Sequence, residues 1–518
     1  MARSTRPRTA RPARHHNAPV APVRRAPQRW WLLATTALLP VTGTALAQSP
    51  TGGQVVAGQA AIAQTANRTT ITQSTNRAAI DWQQFDVGSQ HTVQFVQPNQ
   101  GSWTLNRVVG PDPSVIAGRI QANGGVAIVN QSGMVFAGGA QVDVGSLIAS
   151  AANITNRNFM AGRMVFDGAP RPGARVENRG RITVADRGLA ALVGPGVSNS
   201  GVIRANLGRV ALGAAETFVL DLAGDGLIGI DVTRAVTTAP DGNAALVTNS
   251  GVIEAAGGSV LLSAHAASGL VEDLVRNTGR IETPTRGGHT GEIALRADGG
   301  GVRLDGTLDA TGGAGQAGGR VALQATGQVT VGATARIDAS GGTGGGRVLV
   351  GSTGRGRNQT MAARTTVERG ATIRADATAN GHGGEIIVNS TDRTEMRGTL
   401  TARGGATGGN GGFIEVSGQS AFVLDGIVDL RAPAGELGEF LLDPRNIFIA
   451  DTGTALGLPG STVTETPADL TTVAGSVTAA GTVRATSGNT TDWVQITPDV
   501  IEGYAAGNIT LEATRQIV

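Results

Sequence analysis

The sequence predicts an all-β fold in which short strands stack coil upon coil as a solenoid. Three observations carry that prediction. The first is composition: 518 residues include 78 glycines, no cysteine and only 3% aromatic residues. An ordinary globular core would use more large rings; small and β-branched residues suit thin, regular layers. The second is punctuation, because from Gln54 onward short Val/Ile/Leu strands alternate with Gly, Asn and Asp turns. The third is a repeat of the form Asn-x-Gly-x-Ile followed by another alternating strand. A period of twenty-odd residues marks a solenoid, since one coil cannot bury its own apolar face and needs neighbours above and below.

The repeat is clearest at Asn178-Arg179-Gly180-Arg181-Ile182, Asn199-Ser200-Gly201-Val202-Ile203, Asn249-Ser250-Gly251-Val252-Ile253 and Asn277-Thr278-Gly279-Arg280-Ile281. A second strand follows each turn, as in Arg209-Val210-Ala211-Leu212 and Ser259-Val260-Leu261-Leu262. Looser copies continue at Leu304-Asp305-Gly306-Thr307-Leu308-Asp309-Ala310, Ala335-Arg336-Ile337-Asp338-Ala339, Thr372-Ile373-Arg374-Ala375 and Gly398-Thr399-Leu400-Thr401-Ala402. Each coil is expected to pair in parallel with its neighbours at roughly 4.8 Å per layer, with Asn and Gly forming left-handed or tight corners. About twenty coils would follow from the chain length and the period. Residues 264–275 are the best candidate for a helix, as an excursion from the coils. The Gly-rich stretches 311–319, 340–346 and 402–412 read as loops between coil faces. A phosphate cradle is the alternative, but none is followed by Gly-Lys-Ser/Thr and the chain has no lysine.

The first 47 residues read as a secretory leader. Residues 3–29 are basic and contain proline, residues 30–39 are a short apolar stretch, and Ala45-Leu46-Ala47 is a small-x-small cleavage site before Gln48. The apolar stretch is too short to span a bilayer comfortably. Eight of the 42 basic residues, all arginine, fall in this leader, which has no acid. The remaining 34 face 39 acidic residues and leave a net charge of −5. The high pI of the whole chain therefore argues for export and not for nucleic-acid binding. Sec export, signal peptidase and a passage through the periplasm follow. The absence of cysteine suits a chain that stays extended while it threads a pore.

Residues 81–154 hold the densest ordered pattern. They read Asp81-Trp82-Gln83-Gln84-Phe85-Asp86-Val87-Gly88, then Phe95-Val96-Gln97-Pro98, then Leu105-Asn106-Arg107-Val108, then Asn130-Gln131-Ser132-Gly133-Met134, and a segment through Val142-Asp143-Val144-Gly145-Ser146-Leu147-Ile148. This run resembles the N-terminal two-partner secretion domain of the filamentous haemagglutinin family of exoproteins, over roughly residues 50–190. Glu439-Phe440-Leu441-Leu442-Asp443-Pro444-Arg445-Asn446-Ile447-Phe448-Ile449 is similar to a further segment of that family and reads as the end of one solenoid block. The family usually carries Asn-Pro-Asn-Gly-Ile/Val where this chain has residues 130–134.

The resemblance implies a right-handed parallel β-helix with N-terminal capping elements and extra-coil loops. It implies a secreted or surface-exposed exoprotein and an outer-membrane two-partner transporter as partner. It implies transporter recognition by Asn106, Arg107, Asn130, Gln131, Ser132, Gly133 and Met134. The expected organisation is a leader over 1–47, a secretion domain over 48–190, passenger repeats over 191–450, and a linker with the start of further repeats over 451–518, where the chain breaks off as a fragment would.

Catalysis has little support. Asp305, Asp309, Asp338, Asp425 and Asp429 are possible carboxylates, but they sit at turn positions where Asp serves the backbone. His91, His265, His289 and His382 are scattered and expected as solvated loop or edge residues, outside any His-Glu-x-x-His. No Gly-x-Ser-x-Gly elbow is present. No catalytic residue, cofactor or metal is expected. The leading reading is an adhesin-like exoprotein with a host-cell or surface glycan as ligand. The alternatives are a polysaccharide-active enzyme on the same scaffold, or the stalk of a contact-dependent toxin or haem-acquisition exoprotein whose active part lies beyond residue 518.

Overall fold

The computed structural model describes residues 49–221, 229–240, 245–354, 361–418, 421–424, 426–444 and 447–449, and the strands Thr471–Val473, Thr482–Ala485, Val494–Ile496 and Ile509–Leu511. These residues belong to one compact unit, Leu46–Val518. The leader, the Ala47–Gln48 junction and Asp425 lie outside the described residues, as does most of 451–518.

Three long sheets wrap a single interior. The chain visits them in rotation, for example Gly125–Asn130 on the first, Met134–Phe136 on the second and Gln141–Val144 on the third, before returning to the first at Ser146–Ser150. Each strand pairs in parallel with its counterparts one coil away, such as Leu147 with Val126 below and Ala190 above. This is a right-handed parallel β-helix. Its interior stacks Val210, Val260, Ile293, Val321, Val348, Ile386 and Ile414 in one column, all fully buried.

The repeated Asn-x-Gly corner has two separate physical jobs. The asparagines form a buried amide ladder: Asn178 Nδ2 donates to Asn199 Oδ1, Asn199 Nδ2 to Asn249 Oδ1, and Asn249 Nδ2 to Asn277 Oδ1, each at 2.7 Å. The glycines let the backbones stack. A Cβ on Gly201, Gly251, Gly279 or Gly306 would stand 2.1–2.2 Å from the carbonyl oxygen of the glycine one coil below. None of these glycines has left-handed φ, so of the two expected corner types the tight one applies. A second glycine column precedes the strands of the first sheet. There a Cβ on Gly208, Gly258, Gly346 or Gly384 would meet the oxygen of the glycine below at 2.0–2.3 Å. That oxygen accepts the N–H of the next residue above, as Gly319 does from Arg347 at 3.0 Å.

Three expectations need correction. The first sheet has 16 strands among the described residues, below the twenty coils inferred from the period, because excursions between coils consume chain. Residues 264–275 are not helical. They finish the strand Ser259–His265, turn at Gly269 with φ +79°, and enter the strand Asp273–Asn277; pairing to neighbouring coils overrides local alanine propensity. A described helix is instead Asn156–Met160, N-capped by Thr155, in an earlier excursion. The segment Glu439–Pro444 does not end the first sheet, which continues onto Thr482–Ala485. The other two long sheets do stop just before it, at Ala421–Leu424 and Ile427–Asp429.

A second, smaller core lies outside the first sheet. The outward residues Ala127, Ile148, Ala191 and Ala211 are covered by Phe159 of the helix and by Phe166, Phe218 and Ile230 of the excursions. Phe166 stacks on Phe218 with centroids 4.7 Å apart.

Candidate functional site

The N-terminal end is closed by antiparallel strands. Gln54–Ala57 pairs with Arg77–Trp82 on the first sheet, and Ala60–Thr65 folds back on Arg68–Gln73 on the third. Both outer strands end their sheets, so among the described residues each presents one unpaired edge. Val55 and Val56 are exposed on the first of them, at 36% and 41%. An exposed edge strand with apolar side chains is a template for another strand.

Beneath the cap, the ordered motifs prove to be one internal network. Trp82 is buried, meets Phe85 edge-on at 5.5 Å, and donates Nε1–H to Asn106 Oδ1 at 3.1 Å. Asn106 is fully buried in the interior. Arg107 points to the other side of the same strand, where it pairs with Asp81 at 2.7 Å and donates to the Ile154 carbonyl at 3.1 Å. Gln97 links the next corner, with Nε2 donating to Thr104 Oγ1 and to the Gly125 carbonyl, while Thr104 Oγ1 donates to Gln73 Oε1 at 2.6 Å.

The turn at residues 130–133 closes with Gly133 N–H donating to the Asn130 carbonyl at 2.8 Å, and Gly133 takes φ +94°. A Cβ there would also strike the Arg175 backbone at 2.5 Å, so glycine is required twice over. Asn130 is fully buried. Its Nδ2 donates to the Asp112 carbonyl and Ser114 Oγ, and its Oδ1 accepts from Ser132 N–H. Gln131 and Ser132 are half-buried; they donate to the Ala169 and Pro111 carbonyls, and Arg171 Nη1 joins Ser132 and Pro111. Met134 is buried. The seven candidate recognition residues therefore separate into two places. Asn106, Asn130, Gly133 and Met134 are buried and Arg107 is half-buried against Asp81 beneath the cap, whereas Gln131 and Ser132 lie at the surface beside Arg171.

The carboxylates proposed from sequence serve local structure. Asp309, Asp338 and Asp429 accept the N–H two residues on, at 3.0, 2.9 and 3.2 Å. Asp305 pairs with Arg303 and Arg276. Among the described residues no group of three or more His, Asp or Glu side chains is placed to hold a metal ion. One histidine expectation is overturned: His91 is 1% exposed and its Nε2 lies 2.9 Å from Thr69 Oγ1. Burial lowers its pKa, opposed by a backbone contact at Ala66. His265 lies on the outer side of the first sheet, with Nδ1 3.5 Å from Asp298 Oδ2 one coil away. Sequence spacing gave no sign of that pair.

A parallel β-helix whose first coils are capped and tied by this motif network is the architecture of a two-partner secretion domain. The family model of the TPS secretion domain matches residues 47–322, just over half of the chain, and the chain belongs to that family. The match runs well past residue 190. The crystal structure of the HMW1 secretion domain from Haemophilus influenzae is similar, with a TM-score of 0.61 and 28% identity, covering 75% of this chain and 100% of that one. A heme/hemopexin-binding protein of Haemophilus influenzae strain Rd is 31% identical over 258 residues, 48% of this chain and 27% of its own length. A second heme/hemopexin-binding protein from Haemophilus influenzae is 39% identical over 90 residues, 17% of this chain and 10% of its own. The chain thus spans about a quarter or less of the curated relatives it matches. It is a secreted exoprotein of the two-partner route, exported across the outer membrane to the cell surface or medium.

Proposed function

We propose that the transporter captures this chain through its capped N-terminal end, by adding a strand to the open edge of Gln54–Ala57. The observation that carries the reading is that edge: unpaired among the described residues, bearing exposed Val55 and Val56, and seated on the motif-bearing strand Arg77–Trp82. The surface turn at Gln131 and Ser132 supplies a second contact. Asn106, Arg107, Asn130 and Met134 act by fixing the backbone of these two surfaces, and Gly133 by permitting the turn. The chain reaches the periplasm through Sec, with its leader cleaved between Ala47 and Gln48, and residues 48–190 are the recognised unit ahead of passenger coils over 191–450 and further repeats beyond. Folding of successive coils outside the cell favours forward movement, because each new coil buries its apolar face on the last. The experiment is co-expression with the partner barrel: the chain lacking residues 48–190 stays in the periplasm, and unchanged secretion of that deletion would sink the proposal.

Outside the cell the protein acts by binding, as an adhesin-like exoprotein with a surface glycan as ligand. The engagement of Asp305, Asp309, Asp338 and Asp429 in turns and ion pairs supports binding over catalysis. A second reading, haem acquisition, is favoured by the likeness to proteins named for heme and hemopexin binding.

A further inference from the structure

The connection from the third sheet to the first is short in an early coil, residues 255–258, but lengthens to 310–319, 375–384 and 402–412 in later ones. The added residues form a thin fin of two layers. The outgoing layer prolongs the third sheet: Gly312, Gly341, Ala377 and Gly404 donate N–H to the carbonyls of Ser340, Asp376, Arg403 and Arg431, one coil on, at 2.8–2.9 Å. The returning layer repeats this from Gly345 to His382, Gly383 to Asn410 and Gly411 to Glu436. Glycine lets the layers touch. A Cβ on Gly318, Gly345, Gly383 or Gly411 would stand 1.8–2.1 Å from a carbonyl oxygen of the outgoing layer.

A groove of about 820 Å³ runs along the outgoing face, a volume in the range of small-molecule sites. It crosses the level of Thr311, Ser340, Asp376, Arg403 and Arg431, which follow one another from coil to coil at roughly 4.8 Å per step. Its floor is polar and held rigid. Asp376 is 3% exposed; it accepts from Arg403 N–H and Nη2, each at 2.8 Å, and from Thr401 Oγ1 at 3.0 Å. Arg374 Nε lies 3.6 Å from the same carboxylate. Asp429 holds Arg431 through Nε at 2.9 Å and Nη2 at 2.6 Å. Each guanidinium is thus fixed along its Nε edge, with Nη1 left to donate. Asp338 gives Oδ1 to Ser340 N–H and keeps Oδ2 as an acceptor. The far wall is apolar, with Ala406 and Pro433 exposed and Ala432 half-buried.

These features describe the ligand chemically. Arg374, Arg403 and Arg431 balance Asp338, Asp376 and Asp429, so a polyanion gains little here. An extended peptide finds its partners taken, because the backbone of both layers is paired from coil to coil. A neutral sugar chain offers what the groove lacks: hydroxyls that accept from Nη1 and donate to Asp338, and ring C–H faces for the alanine and proline wall. Stretched out, it also advances by close to one coil step per sugar. We propose that this groove binds an uncharged, β-linked glycan, about four sugars laid along the fin, with hydroxyls on Arg374, Arg403, Arg431 and Asp338. The proposal rests on the reading of a glycan as ligand and gives that reading a site.

The test is calorimetric titration of the secreted chain with cellohexaose and chitohexaose and, in parallel, with a heparin hexasaccharide. The variants are Arg431→Ala and Ala406→Arg, both at exposed positions, with thermal melts to confirm folding. Arg320→Ala, at the foot of the returning layer, is the control. The native chain binds at least one neutral hexamer at a single site, and added salt leaves the affinity unchanged. Arg431→Ala weakens that binding about tenfold, Ala406→Arg abolishes it by filling the groove, and Arg320→Ala leaves it as it was. Equal binding by the native chain and both folded variants overturns the groove while leaving a glycan ligand standing. Heparin binding that is tighter than either neutral hexamer and lost in salt overturns the uncharged ligand. Failure of the native chain to bind either neutral hexamer also overturns the groove; attachment of the chain to host cells before and after periodate treatment then tests glycan binding on its own.

Discussion

The capped end and the glycine-rich coils are built from the same sheets but hold themselves together differently. Near the cap, buried polar side chains are specific to one level: Trp82 to Asn106, Gln73 to Thr104 to Gln97, His91 to Thr69. From Leu304 onward the corner position occupied by the asparagine ladder becomes Leu304, Val331, Val367, Met396 and Leu424, all fully buried. The later coils depend mainly on apolar columns and on close backbone approach at glycine, with fewer contacts of the first kind, such as Ser390 to Thr394 and Thr401 to Asp376. The contrast teaches that a solenoid leans most on individual side-chain contacts where it must start and fix its register, and most on repetition where it continues.

The strongest way to break that contrast is in the later coils. Gly346→Val places a Cβ at about 2.0 Å from the Gly319 carbonyl, where no side chain can yield. Destabilisation above about 3 kcal/mol is expected, and hydrogen exchange should show it centred on the coils of Arg320–Ala325 and Arg347–Val350, with the cap protected. A middle-sized effect is expected from Asn249→Ala. It removes the acceptor of Asn199 and the donor to Asn277, a loss of about 1–3 kcal/mol in denaturant unfolding. Replacing Asn178, Asn199, Asn249 and Asn277 together by leucine should cost less than the single change, since Leu304 already stands on the next rung.

The smallest effect concerns His91. Its pKa is lowered by burial, so the folded state holds it neutral. The unfolded state takes up the proton first as pH falls, so its contribution to stability is complete above the ordinary histidine value and is lost as pH drops below it toward the folded value. His91→Gln, which can still reach Thr69, should flatten that part of the pH–stability curve relative to the native chain. An unchanged slope would show that His91 does not titrate with unfolding.

Much of this was legible in the residues. The Asn-x-Gly-x-Ile repeats mark true coil corners, and the four ordered motifs between residues 81 and 150 mark the secretion domain. Other parts had no local signal. Glycine spacing does not reveal that Gly208, Gly258, Gly346 and Gly384 are tied to one column, because the excursions between coils vary in length. Leu261 and Leu349 read as ordinary strand residues, although they face outward onto a second apolar surface. Residues 264–275 have helical propensity that strand pairing overrides. His91 looks like a loop residue until the cap folds over it, and His265 meets Asp298 only through stacking. At the candidate site, sequence alone could not distinguish Asn106 and Asn130, which are buried, from Gln131 and Ser132, which are accessible.

In the proposed mode of export, the cap edge is the surface that the transporter reads. Its most direct measurement is the secreted fraction, with the partner barrel present, of a chain carrying Val55→Lys and Val56→Lys. Both side chains are exposed, so the fold should be kept, while charge on the edge opposes strand addition. Secretion is expected to fall several-fold or more while the purified variant melts like the native chain. Full secretion of that variant would contradict it.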